Sequence, residues 1–326
     1  MKTCLILGST GQDGSFLVEN CLKNGMRVVC GYRKTANPNT ENLDALLANE
    51  KYKDVLELAP FDLSDHTSIY RLIADYKPDW IFNEADQDHV GWSYKLPAYS
   101  MQVTIEAVTA LCEAVRLLSP ESRIFLPVSS NIYGEAHAGA ISSEFLVSPV
   151  SPYGVAKAAV LHLSNYYRKS HNLNITTGIL FNHESHKRSE EYLTRKLAKA
   201  VAEIKIGKRD SVAFGDLDTE VDWGCANEFT EIFIDLMKKD FNGNVVIGTG
   251  NLCRVGDLVE FAFAAEGLDA KQLIKQDKRF MRPVKMAPIF ADLRELTNII
   301  GRSPVKPARD VISEMVAWEK ARLEAL

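Results

Sequence analysis

The chain has 326 residues, 46% of them hydrophobic and 25% charged, with a formal net charge of −5. Those proportions suit one large α/β unit with a smaller lobe, or two close domains, whose core needs no disulfide staples. The charge offers no bulk attraction for nucleic acid, and no apolar run approaches the roughly 20 residues that span a bilayer.

The opening MKTCLILGST has too short an apolar run for a signal peptide. Its strand-like part, TCLILG, runs into Gly8-Ser9-Thr10-Gly11-Gln12-Asp13-Gly14, and a helix is expected over Ser15–Asn24. In this GxxGxxG spacing the glycines let the backbone turn sharply and approach a pyrophosphate on the helix N-terminus. Gly8, Thr10, Gly11, Gln12, Asp13 and Gly14 are therefore expected to hold a dinucleotide. The second strand, RVVCGYR, ends at Arg33 and Lys34. An acidic residue there accepts the ribose 2′-OH of NAD, whereas a basic one accommodates a 2′-phosphate. The pair points to NADP, with NAD still open. Asp62, closing a third strand in DVLELAPFDL, is placed by position for the adenine edge.

Helix Asp65–Tyr76, strand DWIFNEA, helix Val103–Leu118 and strand RIFLPVSS continue the alternation, followed by helix Tyr153–His171 and strand ITTGILFN. Near-continuous apolar strands separated by helices predict a doubly wound parallel sheet of the Rossmann kind. Tyr153 and Lys157 form a YxxxK pair on one helix face. A lysine cation beside a phenol favours the phenolate, which then takes a hydroxyl proton as hydride leaves. Ser129, in VSSNIYG, ends the preceding strand and is placed to hold the same substrate oxygen.

After Phe181 a charged segment precedes the turn-rich stretch FGDLDTEVDWG. The strand NVVIGTG looks like a return to the main sheet, and a charged helix ends the chain. The expected division is a dinucleotide-binding domain over residues 1–181, with a returning strand near 244–250, and an interleaved smaller lobe over 182–326. The six cysteines are scattered without a CxxC pair, and no His/Cys/Asp clustering suggests a metal; His89 and His183 read as hydrogen-bonded core histidines. A reduced, cytoplasmic protein is expected.

The chain resembles the extended short-chain dehydrogenases/reductases and, within them, the GDP-mannose 4,6-dehydratase family. The resemblance runs over nearly the whole length, through LILGSTGQDGSFLVE, NEADQDHV, SPYGVAKA, GILFNHES, TRK with AKAVAEIKIG, GDLD with DWG, and MRP. It implies that Ser129, Tyr153 and Lys157 are catalytic, with the lysine also on the nicotinamide ribose. It places Asn182 at a sugar-nucleotide diphosphate, and Thr194, Lys196 and Arg282 in the nucleotide-sugar pocket. It also implies a GDP-linked substrate and a homodimer or homotetramer, and it agrees with NADP near Arg33 and Lys34.

The pattern departs at the base. The family removes the sugar C5 proton with a glutamate two residues after its Ser/Thr, and Asn131 stands there. A neutral amide is no general base. Val221 replaces an arginine, Lys285 replaces a glutamate, and Glu84, Asp86 and Asp88 replace Leu, Ala or Gly-like, and Ser residues. Those carboxylates would bind sugar hydroxyls, Asp88 foremost, act as a substitute base, or lie solvated at the cleft mouth. Three readings follow: C4 oxidation, reduction or epimerisation without dehydration; a true 4,6-dehydratase using Asp88 or Glu84; and a non-catalytic NADP(H)-binding regulator.

Overall fold

The computed structural model describes residues 1–135, 137–277 and 287–325. Its strands in chain order are β1 (Thr3–Leu7), β2 (Arg27–Tyr32), β3 (Leu56–Pro60), β4 (Trp80–Asn83), β5 (Arg123–Ser129), β6 (Gly139–Ile141) and β7 (Asn174–Leu180). There follow β8 (Asn182–Glu184), β9 (Val212–Phe214), β10 (Glu220–Cys225), β11 (Asn244–Ile247), β12 (Leu252–Arg254), β13 (Ile274–Gln276) and β14 (Ile289–Ala291). Seven of them pair in parallel in the order β11-β7-β5-β4-β1-β2-β3.

Both faces of this sheet are covered, and the side-chain alternation of a strand shows how. On β1, Leu5 and Leu7 pack with residues of helices His66–Tyr76 and Ala107–Leu118. Cys4 and Ile6 pack on the other side, with helices Gln12–Lys23 and Ala226–Lys238. The strand order reverses at β1, with β2 on one flank and β4 on the other. Ligands of open α/β sheets bind in the crevice at such a switch point, beyond the strands' carboxyl ends. The site below lies there.

A third core gathers helices Leu193–Lys205, Val255–Ala265 and Ala308–Glu324 beside the small sheet β12-β10-β8. Arg195 and Glu319 form a buried ion pair that fastens the last helix to the first, and Arg322 adds a second contact to Glu319 at 2.8 Å.

Two elements differ from the sequence expectation. The helix expected from Val103 opens with a π-helical turn over Gln102–Glu106 before the α-helix Ala107–Leu118. The turn-rich stretch after Phe214 contains β10, parallel to β8 and antiparallel to β12. Its polar Asp222 is buried, and the carboxylate accepts from the backbone N–H groups of Thr249 at 2.9 Å, Gly250 at 2.9 Å and Ala291 at 3.0 Å. A buried carboxylate satisfied by three amides lets a sequence that reads as a turn run inside a sheet.

All six cysteines are free. Among the described residues, no helix is long and apolar enough to cross a membrane.

Candidate active site

The glycine turn closes β1 onto the neighbouring strands. Gly8 has φ +77°, and a Cβ there would fall 2.7 Å from the Ala85 amide nitrogen, so only glycine lets the β1 and β4 loops touch. A Cβ on Gly14 would strike the Gly8 carbonyl at 2.2 Å, which fixes the approach of the following helix. The Gly8 and Ser9 amides donate to Gly31 O at 3.0 and 3.1 Å, tying the turn to the end of β2. Gly11 is different: a Cβ there would meet only Gly8 O, at 3.4 Å, leaving the backbone bare toward the crevice. A bare turn at the start of helix Gln12–Lys23 fits a dinucleotide pyrophosphate. Arg33 and Lys34 are exposed just past β2. Asp62 accepts from Ser64 Oγ at 2.5 Å and from Ser64 N at 2.8 Å; these hydrogen bonds, with Arg33 as a lesser cause, hold its carboxyl below the usual range. Arg33 and Asp62 thus face one region.

Gln12 and Asp13 use their side chains elsewhere. Gln12 Nε2 donates to His183 O at 3.1 Å, and Ser185 Oγ donates to Gln12 Oε1 at 2.8 Å. Asp13 and His183 are paired at 2.7 Å, and the imidazole stacks on Phe229. The GQDG segment is therefore locked to NHES through the Gln12 and Asp13 side chains. Burial alone would neutralise both partners. Their mutual attraction outweighs it, so the His183 pKa is raised and the Asp13 pKa is lowered.

Helix Pro152–His171 begins with Pro152 at its first position, and Ser151 caps it by accepting from Gly154 N at 3.0 Å. This start places Tyr153 and Lys157 on the buried face, 8% and 6% exposed. The Lys157 ammonium lies 5.8 Å from the Tyr153 ring centre and donates to Pro127 O at 3.0 Å. Ser129 closes β5 two residues beyond Pro127, so the expected trio converges. Burial raises the Tyr153 pKa; Asp86 and Asp88 push the same way, while Lys157 and a hydrogen bond with Ser129 oppose them. Asn131 sits beside this group, its amide Nδ2 donating to Ser129 Oγ at 2.8 Å. Asn131 is thus a hydrogen-bond partner of Ser129.

The loop after β4 brings three carboxylates to the same crevice. Asp86 pairs with Lys157 at 2.6 Å, accepts from Gln87 N at 2.7 Å and is hydrogen-bonded by the Thr104 hydroxyl. Glu84 has a buried Oε1 with no hydrogen-bond partner among the described residues. Burial, then the Asp13 charge, push its pKa well up, against the pull of Lys157. Asp88 is more open and lies 3.7 Å from Arg188, whose guanidinium also covers the Tyr192 ring at 3.7 Å.

Of the residues expected in the substrate pocket, Asn182 is exposed at the start of β8, just beyond the end of β7. Thr194 is buried, and its hydroxyl donates to Glu184 Oε2 at 2.6 Å. Lys196 donates to Ala213 O at 2.9 Å. Arg282 and Lys285 lie outside the described residues. The sequence offered Asp86 as a binder of sugar hydroxyls or a substitute base, not as the partner of Lys157, and gave no sign of Thr104 or Arg188; no local pattern joins Thr104 to Asp86, 18 residues away.

The fold and the Ser/Tyr/Lys constellation define a nicotinamide-dependent enzyme of the extended short-chain dehydrogenase/reductase class. Residues 5–315 match the family described as GDP-mannose 4,6 dehydratase, and the chain belongs to that family. It is similar to GDP-mannose 4,6-dehydratase of Yersinia enterocolitica, 31% identical over 98% of this chain and 94% of that protein. Solved structures of dTDP-glucose 4,6-dehydratase from Bacillus anthracis in complex with NAD (TM-score 0.85, 18% identity) and of UDP-glucose 4-epimerase from Thermotoga maritima with UDP-glucose (TM-score 0.85, 19% identity) have the same fold. The first covers 99% of this chain and 98% of that one, the second 98% and 99%.

Proposed function

We propose that the protein oxidises, reduces or epimerises a nucleotide sugar at C4, probing the keto level without eliminating the C6 hydroxyl. The observation that carries this reading is Asn131: it fills the base position with an amide that donates to Ser129 Oγ at 2.8 Å. Tyr153 takes the C4 hydroxyl proton, Ser129 holds that oxygen, and Lys157 supports the phenolate. A bound nicotinamide supplies the hydride acceptor or donor, held by Gly8, Thr10, Gly11 and Gly14 at the turn and by Tyr153 and Lys157 at the ribose. Arg33 and Lys34 favour NADP over NAD. Asn182 receives the diphosphate, with Thr194, Lys196 and Asp88 in the rest of a GDP-sugar pocket; the family resemblance assigns Arg282 to the same nucleotide-sugar recognition. Family membership supports the GDP link and a homodimer or homotetramer.

A second reading keeps 4,6-dehydration with a substitute base. Asp88 favours it, because its charge is felt at Tyr153. Glu84 does not, since burial and Asp13 drive its carboxyl toward the neutral acid. The test is a panel of GDP-, CDP- and UDP-linked sugars with NADP(H), following nicotinamide absorbance and product identity. C4-epimeric or C4-keto products that retain the C6 hydroxyl are expected. Turnover of no nucleotide sugar would overturn the proposal.

A further inference from the structure

The ammonium of Lys157 is claimed twice by the protein itself. It donates to Pro127 O at 3.0 Å and lies 2.6 Å from Asp86 Oδ2, in a pair whose side chains are 8% and 9% exposed. Asp86 is in turn fixed. Its other oxygen accepts from Gln87 N at 2.7 Å and from the Thr104 hydroxyl, and Thr104 is carried by the π-helical turn Gln102–Glu106. An ammonium has three donors. The Pro127 carbonyl takes one of them, and the Asp86 carboxylate holds the charge from close by as an ion pair.

We propose that Asp86 is a positioning residue for proton transfer at Tyr153, holding the Lys157 ammonium against the end of β5 and offsetting its charge. A cation near a phenol favours the phenolate, and an anion placed on that cation cancels much of the effect. The groups facing Tyr153 are Lys157 on its own helix, Asp86 and Asp88 on the β4 loop, and Ser129 on β5; Tyr192 also faces it. Glu84 also faces Lys157 from the β4 strand end, but Asp86 is the carboxylate in contact with it, at 2.6 Å. Burial holds the phenol up first and Asp86 adds to it, so the phenol ionises late and C4 oxidation gains rate only toward alkaline pH. That kinetic consequence rests on the proposed C4 chemistry; the positioning itself does not.

The experiment titrates the phenolate absorbance of Tyr153 in the full-length protein, subtracting the Tyr153→Phe variant at each pH. The native midpoint is expected above the ordinary tyrosine value of about 10. In Asp86→Asn and Asp86→Ala it should fall by about one pH unit or more. Asn keeps the shape of the side chain, and Ala serves if Asn disturbs the fold. If neither variant folds, the native midpoint decides, and a value below that of free tyrosine overturns the proposal. An unchanged midpoint in a folded Asp86 variant also overturns it. No substrate is needed, so a failure to find nucleotide-sugar turnover would sink the proposed activity and leave this result readable. Where turnover is found, the rising limb of the oxidation rate should move down in pH with the phenol; a limb that stays in place contradicts the proposal.

Discussion

At the scale of single residues, the site separates groups that do proton chemistry from groups that hold them. Tyr153→Phe removes only the phenol oxygen, so hydride transfer should drop by about 10²–10⁴-fold while NADP(H) affinity measured by titration stays near the native value. Retained turnover would remove Tyr153 from the role assigned to it. The Asp13–His183 pair gives a second prediction. The His183 pKa is raised against burial by Asp13, so its contribution to stability is present below the unfolded value of about 6.5 and is lost as pH climbs through the raised one. The same pair fails at the acid end when Asp13, whose pKa is lowered, is protonated. In Asp13→Asn burial, with the Arg188 charge, opposes only the Phe181 O hydrogen bond, and the imidazole should titrate below about 6.5 by NMR. A His183 that still titrates above that value would show another partner. Sequence motifs located Ser129, Tyr153 and Lys157 because local spacing on one helix and one strand end encodes them. The Asp86–Lys157 contact was not legible, since a loop and a helix 71 residues apart meet only in the folded sheet.

At the scale of elements, β2 and the last helix carry separable tasks. Arg33 and Lys34 lie just past β2. Changing both to Ala should lower the preference for NADP over NAD by about tenfold or more, since a charge-assisted hydrogen bond contributes about 1.5–3 kcal/mol. Equal losses for both cofactors would place the 2′-phosphate elsewhere. Glu319, fully buried on helix Ala308–Glu324, balances Arg195 and Arg322. Glu319→Gln leaves the buried Arg195 guanidinium without its counter-charge, while Arg322 keeps Glu190 at 3.5 Å, and should cost about 3–5 kcal/mol in denaturant unfolding. A loss under 1 kcal/mol would mean water already reaches the pair. Apolar runs made the parallel strands legible, because burial on both faces demands them. β10 was hidden: Glu220 and Asp222 read as turn residues, and the amides that satisfy Asp222 come from residues 249, 250 and 291.

At the scale of the whole molecule, the crevice at the switch point between β1 and β4 brings Ser129, Tyr153 and Lys157 together with Asn131. The central claim is that this combination stops at C4. Native protein incubated with GDP-mannose and NADP, with the products weighed by mass spectrometry, tests it most directly. The expected result is little or no product lighter by one water, with Asn131→Glu gaining some of that product if the sugar is held in register. Conversion of GDP-mannose by the native protein to the 4-keto-6-deoxy sugar, at a rate that Asp88→Asn abolishes, would contradict it and make Asp88 the base of a working dehydratase.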